Sequence, residues 1–113
     1  MNCLFCEIVA GRIPSQKVYE DDQFLVFKDI APQAPVHVLV IPKVHYANVT
    51  SLTQSDPQLV SGLFSVITKQ ASALGVDQSG FRVVTNTGRE GGQSVDHVHF
   101  HVMGGRPMHW PPG

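Results

Sequence analysis

In the stretch DHVHFHVM, residues 96–103, polar and apolar side chains alternate from His97 to Val102. A repeat of two is that of a β-strand, whose successive side chains leave opposite faces. On such a strand His97, His99 and His101 point one way, with roughly 6–7 Å between neighbours. Val98, Phe100 and Val102 point the other way and need a layer to bury them. A helix over 57–74 can supply that layer, because Leu59, Val60, Leu63, Phe64, Ile67, Ala71 and Leu74 recur on one helical face. Ser55 or Asp56 suits its N-cap, Pro57 its first turn, and Gly75 its end.

Working outward, Cys3 to Ala10 reads as a short helix closed by Gly11. KVYE (17–20) and FLVFKD (24–29) read as strands joined across the polar turn Asp21-Asp22-Gln23. IAPQAP (30–35) holds two prolines and breaks the pattern, after which HVLVIP (37–42) is an apolar strand. FRVVTN (81–86) is a further strand, TGREGGQS (87–94) a Gly-rich loop, and GGRPMHWPPG (104–113) an irregular tail. These elements predict a single α+β domain over 1–113, with a mostly antiparallel sheet, one long helix and a short N-terminal helix.

With 42% hydrophobic and 15% charged residues, the 113-residue chain can build a core. A formal charge of −1 and the lack of any basic run argue against a nucleic-acid partner. No apolar run approaches the ~18 residues of a membrane span. The opening MNCLFCEIVAGRIP lacks the basic start of a secretory signal, and two cysteines make no disulfide framework. The expected setting is therefore the cytoplasm.

Three roles suit the histidines: a polar strand face, a metal site, or chemistry. H-x-H on a strand can share one zinc, but three in line do not easily bind one ion. Imidazole is also a nucleophile near neutral pH and forms covalent phosphoryl intermediates. Gly91-Gly92-Gln93-Ser94 precedes the histidines, and small residues let backbone N–H groups approach an anion.

HVHFHVM (97–103) resembles the signature of the histidine-triad (HIT) family, in which three histidines alternate with apolar residues. DIAPQAPVHVLVIPKVH (29–45), the loop from Asn86 to GGQS (91–94), and the ending GGRPMHWPPG are similar to the family's Hint branch. The resemblance implies a homodimeric HIT-like fold that hydrolyses nucleoside 5′-phosphoramidates and acyl or aminoacyl adenylates, as a purine nucleoside phosphoramidase does. His99 would be the nucleophile that becomes adenylylated, and water would then release AMP. His101 would hydrogen-bond the phosphate, Ser94 would lie near the leaving amine, and His37 would set the tautomer or charge of its neighbours. His101 also points to the hydrolases, since related nucleotidyl transferases carry Gln at that position.

For the nucleotide, the resemblance assigns Asn86 and the backbone around Gly92 and Gln93 to the phosphate. Asp29 takes the ribose hydroxyls beside Ile30, and Leu4, Phe5, Ile8, Phe27 and Leu39 form the walls around the base. No cofactor is expected in catalysis. Some bacterial relatives with the Cys3-x-x-Cys6 pair bind structural zinc through residues matching Cys3, Cys6, His45 and His97. Free structural cysteines and, more remotely, a redox pair are the alternatives. The tail, with His109 and Trp110, is expected to dock, either on its own domain or near the partner's active site, where Trp110 would shape amine specificity. Asp96 stands where an apolar residue is expected and has no assigned role. Rival functions are a non-catalytic module that binds AMP-like nucleotides, and a zinc hydrolase whose three triad histidines hold a catalytic metal.

Overall fold

The computed structural model describes residues 3–113. Its elements run α1 (Leu4–Val9), β1 (Lys17–Glu20), β2 (Phe24–Lys28), β3 (Val36–Pro42), α2 (Val49–Ser55), α3 (Pro57–Ala73), β4 (Phe81–Val84) and β5 (Phe100–Gly104). The strands form one antiparallel sheet in the order β1-β2-β3-β5-β4. The α+β expectation holds.

Alternation along the strands builds two cores, one on each face of the sheet. Val26, Val38, Val40, Val98, Phe100 and Val102 pack with Leu52 of α2 and Leu59, Leu63, Val66 and Ile67 of α3. Leu25, Phe27, Leu39 and Ile41 leave the other face and pack with Cys3, Phe5 and Ile8. The site lies on this second face, so α3 supports it through the sheet without touching it.

α3 begins where Asp56 accepts from the Leu59 N–H and Pro57 occupies the first turn, and Gly75 follows its end at φ 78°. Phe64, expected in the buried face, is 44% exposed and packs edge-on against Phe100. Three expectations need correction. α2 has no counterpart in the sequence reading, because Val49, Thr50 and Thr53 are weak helix formers. It is set instead by Asn48 and Ser51, whose side chains bond each other's backbone N–H.

The histidine strand is also shorter than the alternation suggests. β5 begins at Phe100, so His97 and His99 precede the ladder. Isolated bonds hold the backbone there: the Val98 N–H donates to Tyr46 O, and the Thr85 hydroxyl to His99 O. β2 and β4 likewise end before Asp29 and Thr85.

Candidate active site

β3 and β5 are neighbours, with His101 opposite Leu39 and His37 opposite Met103. His37 and His101 are thus diagonal partners on one face, and His37 Nε2 lies 2.9 Å from His101 Nδ1. Their protons can be placed from the surrounding donors and acceptors. The Gln33 backbone N–H donates to His37 Nδ1 at 3.0 Å, so neutral His37 carries its proton on Nε2. That proton is donated to His101 Nδ1, which leaves the proton of neutral His101 on Nε2.

His99 is set independently. Its Nδ1–H donates to the carbonyl of His97 at 2.8 Å, which leaves the lone pair of the neutral ring on Nε2. The His99 and His101 ring centroids are 5.2 Å apart. A ring with a free lone pair therefore stands beside one that presents an N–H.

Burial lowers the pKa of His37, partly offset by the Asp29 carboxylate. His101 is lowered to about 4, first by burial, then by repulsion from His99 and His37, against the opposing pull of Asp29. A depressed histidine stabilises the fold fully above its unfolded pKa near 6.5, and that contribution falls as pH drops toward 4. From His101 alone the loss is roughly 3 kcal/mol, flattening below the folded pKa. Urea melts from pH 7 to 4 are expected to show this decline; a flat profile from 6.5 to 4.5 would contradict the assignment.

Asp29 leaves β2 at the edge of this cluster. Oδ1 accepts from the Ala31 N–H, and Oδ2 lies 3.5 Å from His37 Nε2 and 3.9 Å from His101 Nδ1. Asp29, His37 and His101 are close enough to share a metal ion. The Gln33 N–H keeps the His37 proton on the ring nitrogen that would have to ligate, so the group acts as a hydrogen-bond chain.

Phe5, Ile8, Phe27 and Leu39 meet in the core on this face, and Phe5 stands edge-on to both Phe27 and His99. Leu4 lies exposed on the same helix, while Ile30 projects fully into solvent. The Gly-rich loop is more braced than the sequence suggests. The Gly92 N–H donates to Arg89 O and the Gln93 N–H to Gly88 O, so neither amide is free for an anion in this conformation. Gln93 donates its side-chain amide to Ala47 O and Val95 O and accepts from the Gly88 N–H. Gly91 is required sterically, since a Cβ there would collide with Thr87 O. Asn86 is half-buried at the start of the loop, whereas Ser94 and Asp96 are exposed.

A second cluster adjoins the first. Cys3, Cys6, His45 and His97 place one donor atom each within 4.8 Å of one another. His97 Nδ1 is 3.4 Å from Cys3 Sγ, 3.5 Å from Cys6 Sγ and 3.2 Å from His45 Nδ1, and Cys6 Sγ is 3.4 Å from His45 Nδ1. Tetrahedral zinc with the usual bond lengths separates such donors by about 3.3–3.6 Å. His97 Nε2–H donates to Pro42 O at 2.8 Å, so the Nδ1 lone pair faces the cysteines. Burial and the neighbouring Cys3 raise the Cys6 thiol to about 11, so the Cys6 thiolate needs a cation to hold its negative charge. The donor set fits zinc.

The three triad imidazoles do not converge: His97 turns to the cysteines, His99 to a carbonyl, and His101 to His37. This disfavours a single metal held by all three. The sequence reading missed the parts played by Gln33 N–H, Pro42 O, His97 O and Thr85. Three are backbone groups, which leave no mark in residue identity. Trp110 is 83% exposed and does not dock on its own domain; the tail is tied down where Arg82 donates to His109 O.

The model of the HIT domain matches residues 10–108. An uncharacterized HIT-like protein of Synechococcus elongatus is 46% identical over 97% of this chain and 96% of its own length. A HIT family hydrolase from Legionella pneumophila superposes with a TM-score of 0.96 at 46% identity, covering 99% of this chain and all of that one. A histidine triad nucleotide-binding protein from Candida albicans gives a TM-score of 0.84 at 36% identity, over 97% and 83% of the two chains. Among the described residues, no helix is long and apolar enough to cross a membrane.

Proposed function

This chain belongs to the HIT domain family, and from that premise we propose that it is a Hint-branch hydrolase of nucleoside 5′-phosphoramidates and acyl or aminoacyl adenylates. The observation that carries this reading is the proton arrangement: a lone pair on His99 Nε2 beside an N–H on His101 Nε2. The likeness to a HIT family hydrolase and to a histidine triad nucleotide-binding protein supports it.

In the first step His99 Nε2 attacks the α-phosphorus and the P–N bond breaks. The departing nitrogen takes a proton relayed from solvent through the exposed Ser94 hydroxyl, since an unprotonated amide is a poor leaving group. His101 Nε2–H stabilises charge developing on the phosphoryl oxygens. In the second step water attacks phosphorus and gives up a proton by the same relay, the N–P bond to His99 breaks, AMP leaves, and the lone pair returns. Asp29 Oδ2 takes the ribose hydroxyls, while Phe5, Ile8, Phe27 and Leu39 back the purine. Zinc on Cys3, Cys6, His45 and His97 is structural here and takes no part in either step.

Mass spectrometry of protein quenched during turnover of an AMP-amine should find AMP on His99. Nucleotide binding with neither turnover nor adduct would instead identify a non-catalytic module.

The same reading makes the protein a homodimer. β4 leaves one edge of the sheet unpaired, and Phe81 lies on that edge. Exposed Phe64 and Trp110 add apolar surface for a partner. Light scattering should give twice the chain mass, and deleting residues 108–113 should change the ranking of amine leaving groups. Unchanged kinetics across several amines would remove Trp110 from specificity.

A further inference from the structure

The loop between β2 and β3 controls the His37 proton, and its outermost turn is held from an unexpected place. Gln33 supplies the N–H that fixes His37, and its carbonyl accepts from Arg106 Nε at 3.0 Å. The same guanidinium donates through Nη1 to Pro107 O at 2.8 Å. Arg106 thus spans two backbone carbonyls, one in the loop and one in the C-terminal tail. Gly105 makes a second contact between tail and loop: it has φ 91°, and a Cβ there would lie 2.9 Å from Pro35 Cβ. Ile30, Ala31, Pro32, Gln33 and Pro35 are all exposed, so little packing holds this loop.

We propose that Arg106 is a positioning residue, which fixes Gln33 so that its N–H keeps the proton of His37 on Nε2 and that of His101 on the nitrogen facing substrate. The chain runs Arg106, Gln33, His37, His101, and each link is a hydrogen bond of 3.0 Å or less. If the Gln33 N–H turns away, His37 can carry its proton on Nδ1 and present a lone pair to His101 Nδ1. His101 must then reverse its own tautomer to donate, which removes the N–H from the phosphoryl group. Lysine replaces Arg106 only in part, because a single ammonium lacks the rigid fork that reaches both carbonyls. The catalytic consequence rests on the hydrolase reading above, whereas the tautomer itself does not.

The test combines ring ¹⁵N NMR of histidine-labelled protein with steady-state kinetics on an AMP-amine. Wild type should show His37 and His101 each protonated at Nε2. Arg106→Gln should give mixed tautomers at both rings, and Arg106→Lys should restore them only in part. Losing one such bond is worth about a five- to ten-fold fall in kcat with little change in KM. Gly105→Ala disturbs the same contact from the neighbouring residue and should shift the same ring signals. Unaltered His37 and His101 tautomers in both Arg106→Gln and Gly105→Ala would overturn the proposal, whatever their activity. Absence of turnover in wild type with the predicted ring shifts would instead remove the hydrolase reading and leave the relay standing.

Discussion

His99→Ala is expected to lower kcat/KM on an AMP-amine substrate by about four orders of magnitude or more, as removal of a covalent nucleophile does elsewhere. The substitution takes away the Nε2 lone pair and leaves His101, His37 and Asp29 with their mutual bonds intact. Binding of AMP should survive, because Asp29, Phe27 and Leu39, proposed to hold the ribose and base, remain in place. The AMP adduct expected in wild type should be absent from the variant. Full activity in the variant would end the covalent mechanism. Hydrolysis with no trapped adduct in either protein would point to direct attack by water.

The second large effect is thermal. Stoichiometric zinc is expected in unchelated protein, and its removal should lower Tm by about 10 °C or more, given the steepness of Tm against stability in a domain of this size. The cause lies in α1. Six residues are too few to hold a helix alone, and Cys3, Cys6 and the buried Phe5 and Ile8 anchor it to the sheet. Chelator should have no further effect on the Cys3→Ser/Cys6→Ser protein, which separates loss of metal from general damage. A zinc-to-protein ratio near zero would remove the metal from the account and leave one buried and one half-buried thiol. Activity should fall with Tm for two local reasons: Phe5 abuts His99, and the carbonyl that orients His99 belongs to His97.

Much of the fold was legible because burial imposes a period. Val98, Phe100 and Val102 face α3 as the alternation required, and Asp56, Pro57 and Gly75 mark that helix as capping chemistry predicts. α2 was not legible, since its start signal is one Asn–Ser pair ahead of β-branched residues. The early part of the histidine strand misled for a related reason. Extended backbone and ladder pairing produce the same alternation, and sequence cannot say where the neighbouring strand stops. In the site, side chains whose proposed chemistry needs one particular residue could be picked out, and His99, His101, His37 and Asp29 do lie together. Loop amides could not, because any residue offers an N–H. Gly92 and Gln93 accordingly proved to spend theirs within the loop.

The bond between Cys3 and His97 joins residues 94 positions apart. Synthesis from the N-terminus makes Cys3 94 residues before His97. Throughout that interval α1 has no finished sheet to rest on, and closing so long a loop carries an entropic cost that grows with its length. Docking of α1 is thus expected to be a late event in acquisition of the native state. Until then the two thiols stay open to air, peroxide and stray metal ions, so the newborn chain is more vulnerable to oxidants than the mature one.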